Sequence, residues 1–281
     1  FSPDLLGVPS GLPVSSDRVE KKVLIPYHYL GKLLTETRKH LPPSRVGNTK
    51  SFTEVETIYY DSARLDFFKN HFSSLPIRYK MRLRRYVPDG DPLMASGNYL
   101  EVKKKEKGIT HKFRIQVSNE NVKSLNAHSP LHLSPALQAM NAGLSRAELE
   151  STVGIINTLI MEFRPCPILS SSYRRVAFEN QEVRLTFDTE IDHQPILLNL
   201  PSILQEIETP EMHEKGKSLL KKYSRTECFV MEIKYPDSSV FPEWISQIFC
   251  ELNLKPTSFS KYCWNTLAIF AAARRSQEKV S

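Results

Sequence analysis

The segment IRYKMRLRRY at residues 77–86 carries Arg78, Lys80, Arg82 and Arg84 on every second residue, with Tyr79, Met81 and Leu83 between them. A helix would scatter these charges around its circumference, whereas a strand lines them up on one face. A row of like charges is unfavourable unless something anionic stands in front of it. The same parity recurs along the chain. Glu101, Lys103 and Lys105 share a face of LEVKKK, and Lys112, Arg114 and Gln116 oppose Phe113, Ile115 and Val117. Arg175 lies with Tyr173 and Ala177, while Arg184, Thr186 and Asp188 oppose Leu185 and Phe187. Glu232 and Lys234 oppose Met231 and Ile233, and Glu20, Lys22 and Leu24 share a face of VEKKVL.

Each of these strands has an apolar face and a charged one. A solvated face normally mixes Lys with Glu and takes Ser, Thr and Gln freely. Here cations dominate and Arg is heavily used, which suits bidentate binding of phosphate. Six such strands can close into a barrel with a charged interior and helices outside. A bore of that kind makes sense with a polyanion threading it. The few acids among the cations, Glu20, Glu101, Asp188 and Glu232, then hold neighbouring lysines by ion pairing, and at least one could ligate a divalent metal. Mg²⁺ and Mn²⁺ prefer carboxylate oxygens and share their coordination with substrate phosphates.

The elements that must position these residues follow from the rest of the text. Residues 1–17 are rich in Pro, Gly and Ser and read as a flexible lead-in. Strand-like RVEKKVLI ends at Pro26, and the helical YHYLGKLLTETRKHL is stopped by Pro42 and Pro43. TEVETIYYDS reads as a strand, with Asp61 and Ser62 starting the short helix ARLDFFKNHF. Three alternating strands joined by PDGDP and a Gly108 turn suggest an antiparallel meander. Leu and Ala at helical spacing over 119–162 predict a helical insertion, after which ILSSSYRRVAFE, EVRLTFDTEI and FVMEIKYP return to strand. The 200–225 stretch reads as loop or short helix, and FPEWISQIFCELNL and SKYCWNTLAIFAAARR as two closing helices. A single domain over 18–275 of the α+β class is expected.

Composition sets the outer bounds. The 281 residues carry a formal charge of +7, which points to phosphate, nucleic acid or an anionic surface without choosing among them. Cysteines 166, 228, 250 and 263 form no C-x-x-C pair, so a zinc site or disulfide framework is not expected and a reducing, cytoplasmic setting fits. TLAIFAAA is too short to span a bilayer, so no stable membrane insertion is expected. No signal peptide is visible, and Phe1 in place of Met suggests a chain trimmed at its start. GKS at 216–218 looks like the end of a P-loop, yet residue 211 is Glu where the earlier glycine is needed. No G-x-G-x-x-G occurs, and no Ser-His-Asp set can be assembled.

The ordered set EKK, ETIYYDS, RYKMRLRRY, YLEVKKK, a KFR strand, YRRVAF, RLTFDTEI, MEIKY and SFSKY resembles the VTC domain (vacuolar transporter chaperone catalytic domain), in a version that looks bacterial. That family is a branch of the triphosphate tunnel metalloenzymes, and the match runs over roughly 18–270. The resemblance implies an eight-stranded antiparallel β tunnel flanked by helices. It also implies an ATP-dependent polyphosphate polymerase, a phosphotransferase of polyphosphate kinase type using Mn²⁺ or Mg²⁺. Carried over by motif, Lys22 is the first-strand lysine, Arg82 and Arg84 are the R-x-R pair gripping the triphosphate, and Lys103 is the lysine after E-x. Lys112 or Arg114 is the following cation, Arg175 the arginine of Y-x-R-x-A-F, and Arg184 lies in the strand ending in a D-T-D-like segment. Glu232 is the metal-binding glutamate and Lys261 the late lysine that helps orient the transferring group. Arg78, Lys80 and Lys105 would carry the acceptor or product further along the bore.

One departure bears on the reaction. Hydrolytic members carry E-x-E-x-K on the first strand, and here Arg18 replaces the first Glu. The missing carboxylate weakens the case for a second metal and an activated water, favouring transfer to phosphate over hydrolysis. The rivals are a tunnel triphosphatase or nucleotide cyclase and a non-catalytic polyanion-binding module. Nucleic acid is not an expected partner; binding it would require salt-sensitive retention.

Overall fold

Alternating β-branched and aromatic residues become eight strands: β1 (Arg18–Pro26), β2 (Thr53–Asp61), β3 (Ile77–Pro88), β4 (Asn98–Glu106), β5 (Ile109–Val117), β6 (Cys166–Glu179), β7 (Arg184–Pro195) and β8 (Cys228–Pro236). The computed structural model describes residues 18–44, 52–73, 75–107, 109–207, 209–210, 212, 214, 228–236, 241–257 and 260–278. The lead-in, Gly108 and the GKS stretch lie outside them. The strands form one sheet in the order β1-β8-β7-β6-β2-β3-β4-β5, antiparallel at every step. This is the expected α+β architecture, curled into a half-barrel.

Three apolar layers hold the curl. Met81, Val102, Phe113 and Ile115 of β3–β5 pack under α3 (Asn119–Asn126), α4 (Pro135–Met140) and α5 (Arg146–Phe163), meeting Leu125, Leu137 and Ile156. These are the helices foreseen over 119–162. Ser118 and Ser145 start α3 and α5, each accepting from the backbone N–H three residues on. Ile25, Phe187, Phe229 and Ile233 pack under α1 (Leu30–His40) and α7 (Glu243–Glu251) through Leu33, Ile245 and Ile248. The third layer joins Tyr59 and Leu169 to α2 (Asp66–Phe72), α6 (Leu200–Ile207) and α8 (Lys261–Glu278), through Phe68, Leu204, Tyr262 and Leu267.

The curl brings β1 opposite β4 closely enough for Glu20 to meet Lys103 at 3.8 Å. Among the described residues no ladder joins the outer strands β1 and β5. Both edges have other partners. Thr257 N–H donates to the Lys22 carbonyl on β1 at 2.8 Å. On β5 the Asn141 amide satisfies both backbone groups of Gln116, accepting from its N–H at 2.7 Å and donating to its carbonyl at 2.9 Å. The seam is therefore spanned by side chains.

The start of α2 differs from expectation. Leu65 sits in the left-handed region at φ 57°, and the helix begins at Asp66 rather than at residue 63. Asp61, buried at the end of β2, accepts from Phe67 N–H and Phe68 N–H at 2.8 Å each, so it fixes the helix from six residues away. Its Oδ2 also accepts from Tyr262 Oη at 2.6 Å, which ties α8 to the same point.

Candidate functional site

The concave face of the sheet is built by the parity read from the sequence. Register places Arg82 beside Glu101 and Lys80 beside Lys103 across β3–β4, and Lys103 beside Lys112 and Glu101 beside Arg114 across β4–β5. Lys112 and Arg114 thus share the concave face. On the other wall Lys22 lies beside Glu232 across β1–β8, and Arg175 beside Asp188 across β6–β7. A register shift between Ser172 and Arg174 turns Arg174 outward to Glu190, 2.9 Å away, and leaves Arg175 facing in.

Three carboxylate centres organise the cations. Glu101, 1% exposed, takes Arg82 through Nε at 2.7 Å and Nη2 at 2.6 Å, Lys112 at 3.1 Å, Arg114 at 3.6 Å and Arg84 at 3.9 Å. Asp188, wholly buried, holds Arg175 bidentately at 2.6 and 2.8 Å and Lys261 at 2.5 Å. Glu232 takes Lys234 at 2.8 Å and Lys22 at 3.9 Å, and Glu20 shares both lysines, touching Lys22 and lying 3.6 Å from Lys234.

Burial alone would raise the pKa of each of these carboxyls. The cations override it. Arg82, Arg84 and Lys112 hold Glu101 far below the ordinary carboxylate range, Arg175 and Lys261 hold Asp188 down, and Lys234 and Lys22 do the same for Glu232. Four carboxylates, Glu20, Glu101, Asp188 and Glu232, then face ten cations: Lys22, Lys80, Arg82, Arg84, Lys103, Lys112, Arg114, Arg175, Lys234 and Lys261. The excess is felt by the least-paired lysines. Burial, with Arg82 and Lys22 adding repulsion, pushes Lys103 down to about 7 despite Glu20. Lys80 is lowered mainly by burial, and its ammonium donates to Ser260 Oγ at 2.9 Å. A site with this much uncompensated charge can bind a multiply charged anion strongly.

Other expected residues lie at the periphery. Arg78 pairs across the strands with Lys105, which is exposed. Arg184 points to the rim, 3.2 Å from Glu179. The α8 N-terminus enters the concave side, where Lys261 meets Asp188 and lies 4.7 Å from the Tyr173 ring centre. Lys234, Glu101 and Asp188 lie on the faces that parity assigns them, and the register makes Glu101 and Asp188 shared hubs. Tyr59, Tyr86, Tyr99 and Tyr173 also stand among the charges. Alternate-residue counting from Arg84 and Glu101 leads to Tyr86 and Tyr99, which the sequence reading did not place in the site, whereas nothing on β2 points to Tyr59.

The residues fit a divalent ion shared with phosphate. Glu20 and Glu232 are near enough for each to oppose the other's ionisation, and one or two carboxylates plus substrate oxygens is the usual Mg²⁺ arrangement. Among the described residues no group of three or more His, Cys, Asp or Glu side chains converges to make an all-protein cage.

The VTC domain family matches over residues 17–270. The chain belongs to that family. No match is found among curated proteins. Among solved structures, a candidate adenylate cyclase of Bacillus halodurans is similar at 11% identity, covering 88% of this chain and 95% of that one with a TM-score of 0.45. A candidate adenylate cyclase of Vibrio parahaemolyticus gives 11% identity, 88% and 97% coverage and 0.39, and the PH1012 protein of Pyrococcus horikoshii gives 10%, 84% and 92%, and 0.36. No helix among the described residues of this VTC domain is long and apolar enough to cross a membrane.

Proposed function

We propose that this VTC domain transfers the γ-phosphate of ATP to the end of an inorganic polyphosphate chain within its basic bore. The observation that carries this reading is the concave cluster in which ten cations surround four carboxylates. Phosphoryl transfer asks the protein chiefly for alignment and for neutralisation of charge on the transferring group. Arg82, its guanidinium plane oriented by Glu101, and Arg84 hold the triphosphate. Lys103 and Arg175 flank it from neighbouring walls. Lys261, steadied by Asp188, donates toward the group in transfer. The acceptor is a terminal phosphate oxygen, anionic at neutral pH, so no residue has to remove a proton from it.

Glu232, with Glu20 beside it, would hold a Mn²⁺ or Mg²⁺ ion, which when bound offsets charge on the phosphate oxygens. Position 18 is Arg where hydrolytic members carry a further first-strand Glu, which supports transfer over metal-activated hydrolysis. None of the four cysteines forms a disulfide, which supports a cytoplasmic setting. ATP and polyphosphate are the partners this reading names, and nucleic acid is not one. Incubation with ATP and Mn²⁺ followed by gel staining for polyphosphate tests it. Chain growth that disappears in Glu232→Gln is expected. Phosphate release without chain growth would replace this reading by a triphosphatase, and tight polyphosphate binding with no ATP turnover would leave a binding module.

A further inference from the structure

One mouth of the bore differs in chemistry from its wall. Tyr86 and Tyr99 stand there edge to face, their ring centres 5.9 Å apart. The Arg114 guanidinium carbon lies 3.9 Å from the Tyr99 ring centre and 5.4 Å from that of Tyr86. Arg84 approaches Tyr86 at 5.9 Å. All of these except Arg84 are half-buried, so their outer faces stay accessible. Tyr86, Arg84 and Arg82 follow one another on a single face of β3, spaced about 7 Å apart. Toward the other end of the same strand the pairing is Arg78 with Lys105, cation beside cation.

A phosphate chain can accept a hydrogen bond from a phenol hydroxyl but has no use for a ring face. Planar rings and guanidinium planes are what nucleobases stack on. We infer that Tyr86, Tyr99 and Arg114 form a base platform that seats the nucleobase of a nucleoside triphosphate, whose phosphates run inward past Arg84 to Arg82. This rests on the triphosphate chemistry proposed for the bore and adds a selection, that of a nucleotide over an inorganic triphosphate. Arg114 thereby has a second role besides its contact with Glu101. It presents a flat cationic surface that the two rings hold in place.

Calorimetric titration of the whole chain with ATP and, separately, with inorganic tripolyphosphate tests this. In Tyr99→Leu, ATP binding weakens about tenfold, the scale of one lost base-stacking contact, while tripolyphosphate, which meets only the loosened Arg114 of the platform, weakens far less. Tyr99→Phe retains ATP binding. Retained tripolyphosphate binding also shows that the variant is folded. Equal weakening of both ligands, or of neither, overturns the platform while the bore chemistry stands. Wild type binding neither ligand overturns both.

Discussion

Glu20 on β1 and Lys103 on β4 form an ion pair at 3.8 Å across a seam that no backbone ladder closes among the described residues. The pair joins two walls of the bore. It also leaves Lys103 marginally charged, because Glu20 and Glu232 only partly offset burial and the neighbouring Arg82 and Lys22.

Anion binding should therefore weaken as pH rises through about 7. The Lys103 ammonium of the empty bore loses its proton near that value, and a bound polyphosphate restores it, so binding takes up a proton above pH 7. In the empty protein the sign for folding is the reverse. The unfolded lysine stays protonated to about 10.4, so this residue's unfavourable contribution to stability fades as pH rises from about 7 toward 10. Tripolyphosphate titrations in buffers of different ionisation enthalpy measure the uptake. Lys103→Arg, charged throughout, should show none of it.

Removing the carboxylate that four cations share has a different signature. Glu101→Gln leaves Arg82, Arg84, Lys112 and Arg114 facing one another in a buried place, a cost of about 3–5 kcal/mol for an uncompensated buried group. Tripolyphosphate should restore most of that loss, so the rise in melting temperature on adding it exceeds the rise in wild type. An equal rise in both proteins would mean that the anion does not replace Glu101 as the common partner.

Lys261 is the one cation of the site contributed by a helix. Lys261→Ala should lower the rate of chain growth by about 10²–10³, the range for loss of a preorganised donor to developing charge, with little change in KM for ATP. Initial rates over a range of ATP concentrations separate the two. A pure KM effect would recast Lys261 as a ground-state binding residue.

Asp61 gives a pH effect remote from the bore. Burial pushes its carboxyl up to about 7, against the hydrogen bonds from Tyr262, Phe67, Phe68 and Ser62 that favour the ionised form. The unfolded side chain titrates near 3.9. Its contribution to stability is thus fully present below about pH 4 and is lost as pH rises through about 7. Urea denaturation between pH 4 and 8 should show this slope, and Asp61→Asn should reduce it.

Much of the site was legible because strand parity is strict: once β3 carried four cations on one face, the faces of β1, β4, β5, β7 and β8 followed. What parity does not encode is which strand lies beside which. Glu101 reads as one acid in a basic run until the β3–β4–β5 register surrounds it with Arg82, Lys112 and Arg114. Asp188 reads as the end of a strand until the terminal helix brings Lys261 to it across 73 residues of sequence. The α2 start was misplaced because its capping acid belongs to the preceding strand, at the far side of a left-handed Leu65.

The Asn141 amide on Gln116 has a consequence beyond the single chain. An outer strand with a free row of N–H and carbonyl groups is a template for adding a strand from another molecule. On β5 that row is interrupted at Gln116 by a side chain that mimics a strand partner, and on β1 it is interrupted at Lys22 by Thr257. Two molecules meeting edge to edge would have to break those bonds before they could zip together. The open half-barrel is thereby guarded against runaway self-association.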